Sequence, residues 1–226
     1  MFTALFLLKV AMAPVIVLSV SYLQRRFGDR FGGWLIGLPI TTGPFIFIIA
    51  LQEGLSFAGH TTHGVLLGQI ALVVFCWVYA FAALRSSWYI AVTIGTLSCL
   101  VTGFLVTQVI VSTWISTPFL ILIWFTAIKR WPTARTLEQK ISPPPWEIPV
   151  RILVTLTLLI SLSAAAPHLG PKISGALSTY PVIASVLGAF NHKRFGADVT
   201  VGTLRGLMQT LPITIGAIFA LGLALQ

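Results

Sequence analysis

A chain of 226 residues that is 57% hydrophobic and only 8% charged, with mean hydropathy +0.96, carries more apolar surface than one soluble core can hide. Its solvent is therefore lipid, and helices of roughly 20 apolar residues are the expected spanning element, because the polar alternation of a closed β-barrel is absent. The formal net charge of +9 does not point to nucleic acid, since the basic residues flank apolar runs and have no aromatic-rich soluble module around them.

In chain order, the apolar runs predict spans near 3–22, 33–51, 63–84, 88–106, 110–128, 149–167, 172–190 and 199–225. The first opens with the single early cation Lys9 and lacks both a basic start and a small-residue cleavage site, so it reads as a retained span and not as a signal peptide. Arg25, Arg26 and Arg30 follow it, and Arg85 follows the third span. Lys129, Arg130, Arg135 and Lys140 follow the fifth, with Arg151 just beyond, and Lys193 and Arg194 follow the seventh. The alternate loops hold only Lys172. By the positive-inside rule, eight helices cross the membrane and both termini are extracytoplasmic.

The first 51 residues read again 142 positions later. Lys9 falls on Arg151, Ser19 on Ser161, Ser21 on Ser163, Gly28 on Gly170, Arg30 on Lys172, Gly33 on Gly175 and Pro39 on Pro181. After a shorter loop in the second copy, Thr62, Gly64, Leu66 and Gly68 fall on Thr200, Gly202, Leu204 and Gly206. The charge pattern makes the copies antiparallel, because the first copy starts outside and the second starts at the basic 129–149 loop. The expected fold is all-α and polytopic: a three-helix repeat over 1–84, two connecting helices over 85–128, a cytoplasmic linker over 129–148 and an inverted three-helix repeat over 149–226. Pro143, Pro144 and Pro145 favour an extended linker.

The second helix of each copy holds GGWLIGLPITTGPF (32–45) and SGALSTYPVIASVLGAF (174–190), each with Gly, five residues and Pro. Pro39 and Pro181 remove a helical donor and leave the carbonyls of Leu35 and Leu177 in need of partners. Thr41, Thr42, Ser178, Thr179 and Tyr180 lie beside these breaks. In transporters with antiparallel halves, such interrupted helices hold substrate near the bilayer midplane. The plainer reading is that Pro and Gly kink and pack membrane helices, with Ser and Thr bonding back to the backbone.

Gly64 with Gly68 and Gly202 with Gly206 have the spacing for close helix approach, between the copies or between protomers. Arg205, inside the last span, is set to bind an anion, to snorkel, or to pair with Asp198. Lys9 and Arg151 read as interfacial anchors, with guards of a pathway as the alternative. His60 and His63 have no third metal ligand nearby except Glu53 and read as interfacial histidines, while Cys76 and Cys99 read as small hydrophobes. Asp29, Glu53, Glu138, Glu147 and Asp198 all fall at loops or span ends, which argues against a buried proton relay and against an intramembrane enzyme.

The stretch ISGALSTYP (173–181), an apolar helix, and TLRGLMQTLP (203–212) resembles the small bacterial GlpM-type membrane proteins, which are built of one such helical unit. The likeness covers 171–220 and, less closely, 30–84, and it implies a bacterial inner-membrane location without assigning site residues. Together these features lead to the expectation of a small transporter or lipid-flippase-like protein. Its substrate site would comprise Pro39, Thr41, Thr42, Ser178, Thr179, Tyr180, Pro181 and Arg205. A non-transporting subunit that scaffolds an envelope-assembly or enzyme complex is the alternative. Neither reading calls for a cofactor or metal. The expected partners are membrane lipids and a small anionic or lipidic substrate, and a homodimer is left open because eight short helices leave little room for a shielded cavity.

Overall fold

The computed structural model describes residues 4–39, 42, 46–47, 50–51, 54–109, 112–133, 146–165 and 180–225. These form an all-helical protein with eight helices: α1 (Ala4–Phe27), α2 (Asp29–Gly37), α3 (Leu55–Ala83), α4 (Trp88–Val109), α5 (Thr113–Lys129), α6 (Glu147–Ala165), α7 (Val182–Phe195) and α8 (Ala197–Ala224). Three of them, within α3, α4 and α8, are long and apolar enough to cross a membrane, and α5 is a shorter apolar helix. Large apolar side chains cover the outside: Leu97, Val101, Leu105 and Val109 on α4, Trp114, Ile115 and Leu122 on α5, and Leu153 and Ile160 on α6 are all exposed. Such a shell is tolerated where the surroundings are lipid.

The helix bounds depart from the sequence expectation in two informative places. The third span begins at Leu55 rather than near 63, so His60 and His63 lie inside a helix. α2 stops at Gly37, well short of the expected end near 51, and α7 starts directly after Pro181, with 166–179 outside the described residues. The 134–145 part of the linker, with Glu138, and Glu53 lie outside the described residues.

Two pairs of helices meet at a single-residue corner. Gly28 (φ 96°, ψ 176°) joins α1 to α2, and Gly196 (φ 91°, ψ 174°) joins α7 to α8. That backbone region is open in practice only to glycine. Each corner follows an Arg-Phe pair, Arg26-Phe27 and Arg194-Phe195, so the same short signal makes the same turn twice.

The basic helix ends gather on one side. Gln24 near the end of α1 bonds Thr203 near the start of α8, Arg151 near the start of α6 bonds Asn191 near the end of α7, and Lys193 sits over the Trp88 ring at the start of α4. The Trp77 indole reaches the carbonyl of Arg130 beyond α5. At the opposite side Gly59 approaches Leu225, Thr62 approaches Gly222, and Trp114 meets Phe219 edge-on.

The core is organised around α8, which packs on α2, α3, α5 and α7. Its contact with α2 is backbone to backbone. A Cβ on Gly33 would strike the carbonyl of Thr203 and the amide of Leu207, one on Gly37 would strike the carbonyl of Leu207, and one on Gly206 would strike the carbonyl of Arg30. Gly206 therefore serves the small-residue packing read from the sequence, against α2, whereas Gly64 faces open space. Pro212 inside α8 cannot donate to the carbonyl of Met208. The Trp124 indole of α5 donates to that carbonyl at 2.7 Å instead.

Two measurements of thermal unfolding in detergent check this packing. Gly33→Val is expected to destabilise by about 1–3 kcal/mol, the usual cost of overpacking, while Gly64→Ala leaves the melting temperature unchanged or raises it. Trp124→Phe strands a buried carbonyl and is expected to cost about 1–3 kcal/mol; a neutral result would show that the indole bond is not what supports the Pro212 position.

Candidate functional site

The end of α2 follows from Pro39. The residue before a proline is driven out of the helical region, and Leu38 is extended (φ −75°, ψ 152°). The last carbonyls of α2 then need donors, and α8 supplies them from one face: Thr210 Oγ1 donates to the carbonyl of Trp34 at 3.0 Å and Thr214 Oγ1 to that of Gly37 at 2.5 Å. The Trp34 indole adds a bond to Gln209 Oε1 at 2.9 Å. The threonines of α8 thus engage the carbonyls of Trp34 and Gly37, whereas Leu177, one of the two residues whose carbonyls the sequence left free, lies outside the described residues. Thr42 lies just beyond in helical conformation and half-buried, and Thr41 lies outside the described residues.

Pro181 (φ −81°, ψ 71°) makes an inverse γ-turn, closed by the amide of Val182 on the carbonyl of Tyr180 at 2.9 Å, and α7 starts directly after it. Tyr180 Oη pairs with Thr96 Oγ1 of α4 at 3.0 Å, and its ring meets Phe75 of α3 edge-on. Tyr79, one turn further along α3, is fully buried with its hydroxyl unpartnered among the described residues. Ser178 and Thr179 lie outside the described residues.

The two breaks are neighbours. Leu35 and Ile36, just before Pro39, and Ile183, just after Pro181, pack on the same apolar cluster of Ile16, Val20 and Leu187. Arg205 stands apart from this group: it is half-buried on α8, its Nε enclosed without a partner among the described residues, and no described hydrogen bond or ion pair joins it to Thr42, Tyr180 or either proline. Thr96, Phe75 and Tyr79 were missed in sequence because they belong to the third and fourth spans, outside the repeat-matched break motifs.

A second polar group lies at the basic side, and here the structure corrects one expectation. Arg151 is no interfacial anchor, since it is fully buried, and Glu147, at the first residue of α6 where a span end was expected, is buried with it rather than exposed. Arg151 Nε and Nη2 both donate to Glu147 Oε1, at 3.0 and 2.6 Å, and Nη2 also donates to Asn191 Oδ1 at 3.0 Å. Asn191 Nδ2 and Gln24 Nε2 both donate to Thr203 Oγ1, at 3.1 Å each, and that hydroxyl donates in turn to the carbonyl of Val199. Four helices, α1, α6, α7 and α8, are tied through this chain. Arg194 approaches Glu147 Oε2 at 3.3 Å without the alignment of a hydrogen bond, and lies over the Trp146 ring. Burial holds the His192 imidazole on the last turn of α7 below its ordinary range, so it adds no charge near neutral pH. The i,i+4 spacing of Glu147 and Arg151 was visible in sequence, but a pair at a span end reads as surface unless the neighbouring helices are known. The side chain of Lys9, the other proposed anchor, lies outside the described set.

Among the described residues, no group of three or more His, Cys, Asp or Glu side chains is placed to hold a metal. Cys76 and Cys99 are buried free thiols, as read from the sequence. In comparisons with family models, curated proteins and solved structures, nothing matches this chain.

Glu147→Gln leaves Arg151 buried without a full counter-charge and is expected to destabilise by about 3–5 kcal/mol, whereas the double replacement Glu147→Leu/Arg151→Leu recovers most of that loss. Unfolding of the two variants side by side in one detergent reads the difference; equal losses would mean that the pair is not the unit that matters.

Proposed function

We propose that the chain is a small bacterial inner-membrane transporter, of a lipid-flippase-like kind, that moves a small anionic or lipidic substrate past the interrupted helices. The observation that carries this reading is the shared apolar cluster, which sets the residues flanking Pro39 beside those flanking Pro181. Two half-helices that end or begin together inside a bundle are the arrangement that transporters use for binding at the midplane. Tyr180, with the Thr96 hydroxyl and the unpartnered Tyr79 hydroxyl near it, offers polar contacts in otherwise apolar surroundings. Such sparse, placed polar groups fix orientation in ligand sites.

Within this reading the basic side faces the cytoplasm, eight segments span the bilayer, and both termini are extracytoplasmic. The two halves form an inverted repeat that pairs α1 to α3 with α6 to α8. Two observations support it: the end of α1 and the start of α6 share one polar cluster, as antiparallel copies require, and the matched long helices α3 and α8, of 29 and 28 residues, both start after a glycine of nearly the same conformation. The likeness to GlpM-type proteins belongs to this same reading, as a single helical unit used twice in opposite senses.

Flux in proteoliposomes tests it, with headgroup-labelled phospholipid in one arm and labelled phosphate, amino acids and nucleosides in the other. The parent is expected to exceed protein-free vesicles in one arm. Pro39→Ala/Pro181→Ala lowers that rate about tenfold or more, equivalent to ~1.4 kcal/mol on the barrier, and Tyr180→Phe lowers it without changing the melting temperature. A parent indistinguishable from empty vesicles in every arm, with a stable partner on co-purification, would hand the protein to the scaffolding alternative.

A further inference from the structure

The polar cluster at the basic side has its charges out of balance. Among the described residues, Arg151 and Arg194 share the one carboxylate of Glu147, and Arg25 at the end of α1 is close enough to act on Arg151 as a like charge. A guanidinium cannot shed its proton to escape burial. Arg151 is fully buried, yet among the described residues its Nη1 has no acceptor, and the Ser21 hydroxyl on α1 is also enclosed and unpartnered. Glu147 is the first residue of α6, a helix of 19 residues, so the positive end of its dipole adds to the same field. Arg194, with 46% of its side chain exposed, connects this interior to the outside.

We propose that this cluster is a phosphate-binding site, in which a phosphate group accepts from Arg151 Nη1 and from Arg194 and supplies the missing negative charge. The chemistry favours phosphate over a carboxylate: several guanidiniums and a helix N-terminus converge on one place, and a phosphate offers oxygens in enough directions to engage them together. The occluded Nη1 means that the Arg194 side chain, held only by a poorly aligned ion pair and a ring contact, swings aside to admit the group. The inference goes beyond the transport reading and uses other residues, so loss of flux in the proline variants and loss of phosphate binding are read separately.

The test is thermal unfolding and equilibrium binding of the full chain in detergent. One arm titrates inorganic phosphate against chloride at equal ionic strength, and the other adds phosphatidic acid or phosphatidylglycerol against phosphatidylcholine. Stabilisation by inorganic phosphate identifies a free anion as the source, and stabilisation only by the anionic lipids identifies a headgroup; either supports the site. Arg194→Gln is expected to weaken that binding by about tenfold or more, while Arg26→Gln, an exposed arginine bonded to Tyr22, leaves it unchanged. Arg151→Gln removes binding if it folds, and Arg194→Gln carries the test if it does not. No stabilisation in either arm, or equal losses in Arg194→Gln and Arg26→Gln, overturns the proposal.

Discussion

The fold rests on the approach of α2 to α8 until their backbones touch. Lipid gives little hydrophobic reward for bringing two apolar helices together, so close packing and short polar contacts have to do it. Gly33, Gly37 and Gly206 remove the side chains that would hold the helices apart. At that separation Thr210 and Thr214 reach the terminal carbonyls of α2, and the indole of Trp34 reaches Gln209. Where α2 ends ahead of Pro39, the neighbouring helix supplies donors to the carbonyls of Trp34 and Gly37. Pro212 is treated the same way from the other side of α8, by Trp124. α8 is thus both a giver and a receiver of backbone bonds, and the helices around it are positioned by its irregularities.

The buried cluster at the basic side adds a different kind of constraint. Gln24, Arg151, Asn191 and Thr203 come from four helices, and each bond among them is directional. An apolar interface can slide by part of a turn at small cost, whereas a hydrogen-bonded one inside an apolar medium cannot. These residues therefore hold the helix ends at the basic side in a single arrangement.

Much of this could be read from the chain, and what could not has a physical cause. The all-α class and the end of α2 ahead of Pro39 follow from apolar runs and from what a proline does to the backbone before it, and these are local properties. Where the freed carbonyls find donors is not local: Trp34 and Thr210 are 176 positions apart. The burial of Arg151 was hidden for the same reason, because a charge four residues into a span is an anchor or a core residue depending on what faces it, and Asn191 faces it from 40 positions away. The close approach at Gly206 was legible as spacing but not as a choice of partner. Of the residues expected around the breaks, Tyr180 gained neighbours in Thr96 and Phe75, while Arg205, singled out for its expense, is not joined to it by any described hydrogen bond or ion pair.

The glycine corners at Gly28 and Gly196 have a mechanical meaning. With one residue between helices there is no slack to lengthen or shorten, so α2 cannot be drawn away from α1, nor α8 from α7, without unwinding a turn of one of them. Each pair behaves as an elbow whose arms can only change their angle. Both elbows sit at the end where the arginines gather, so any rearrangement of the bundle is a splaying of the far tips, like tongs hinged at the charged end.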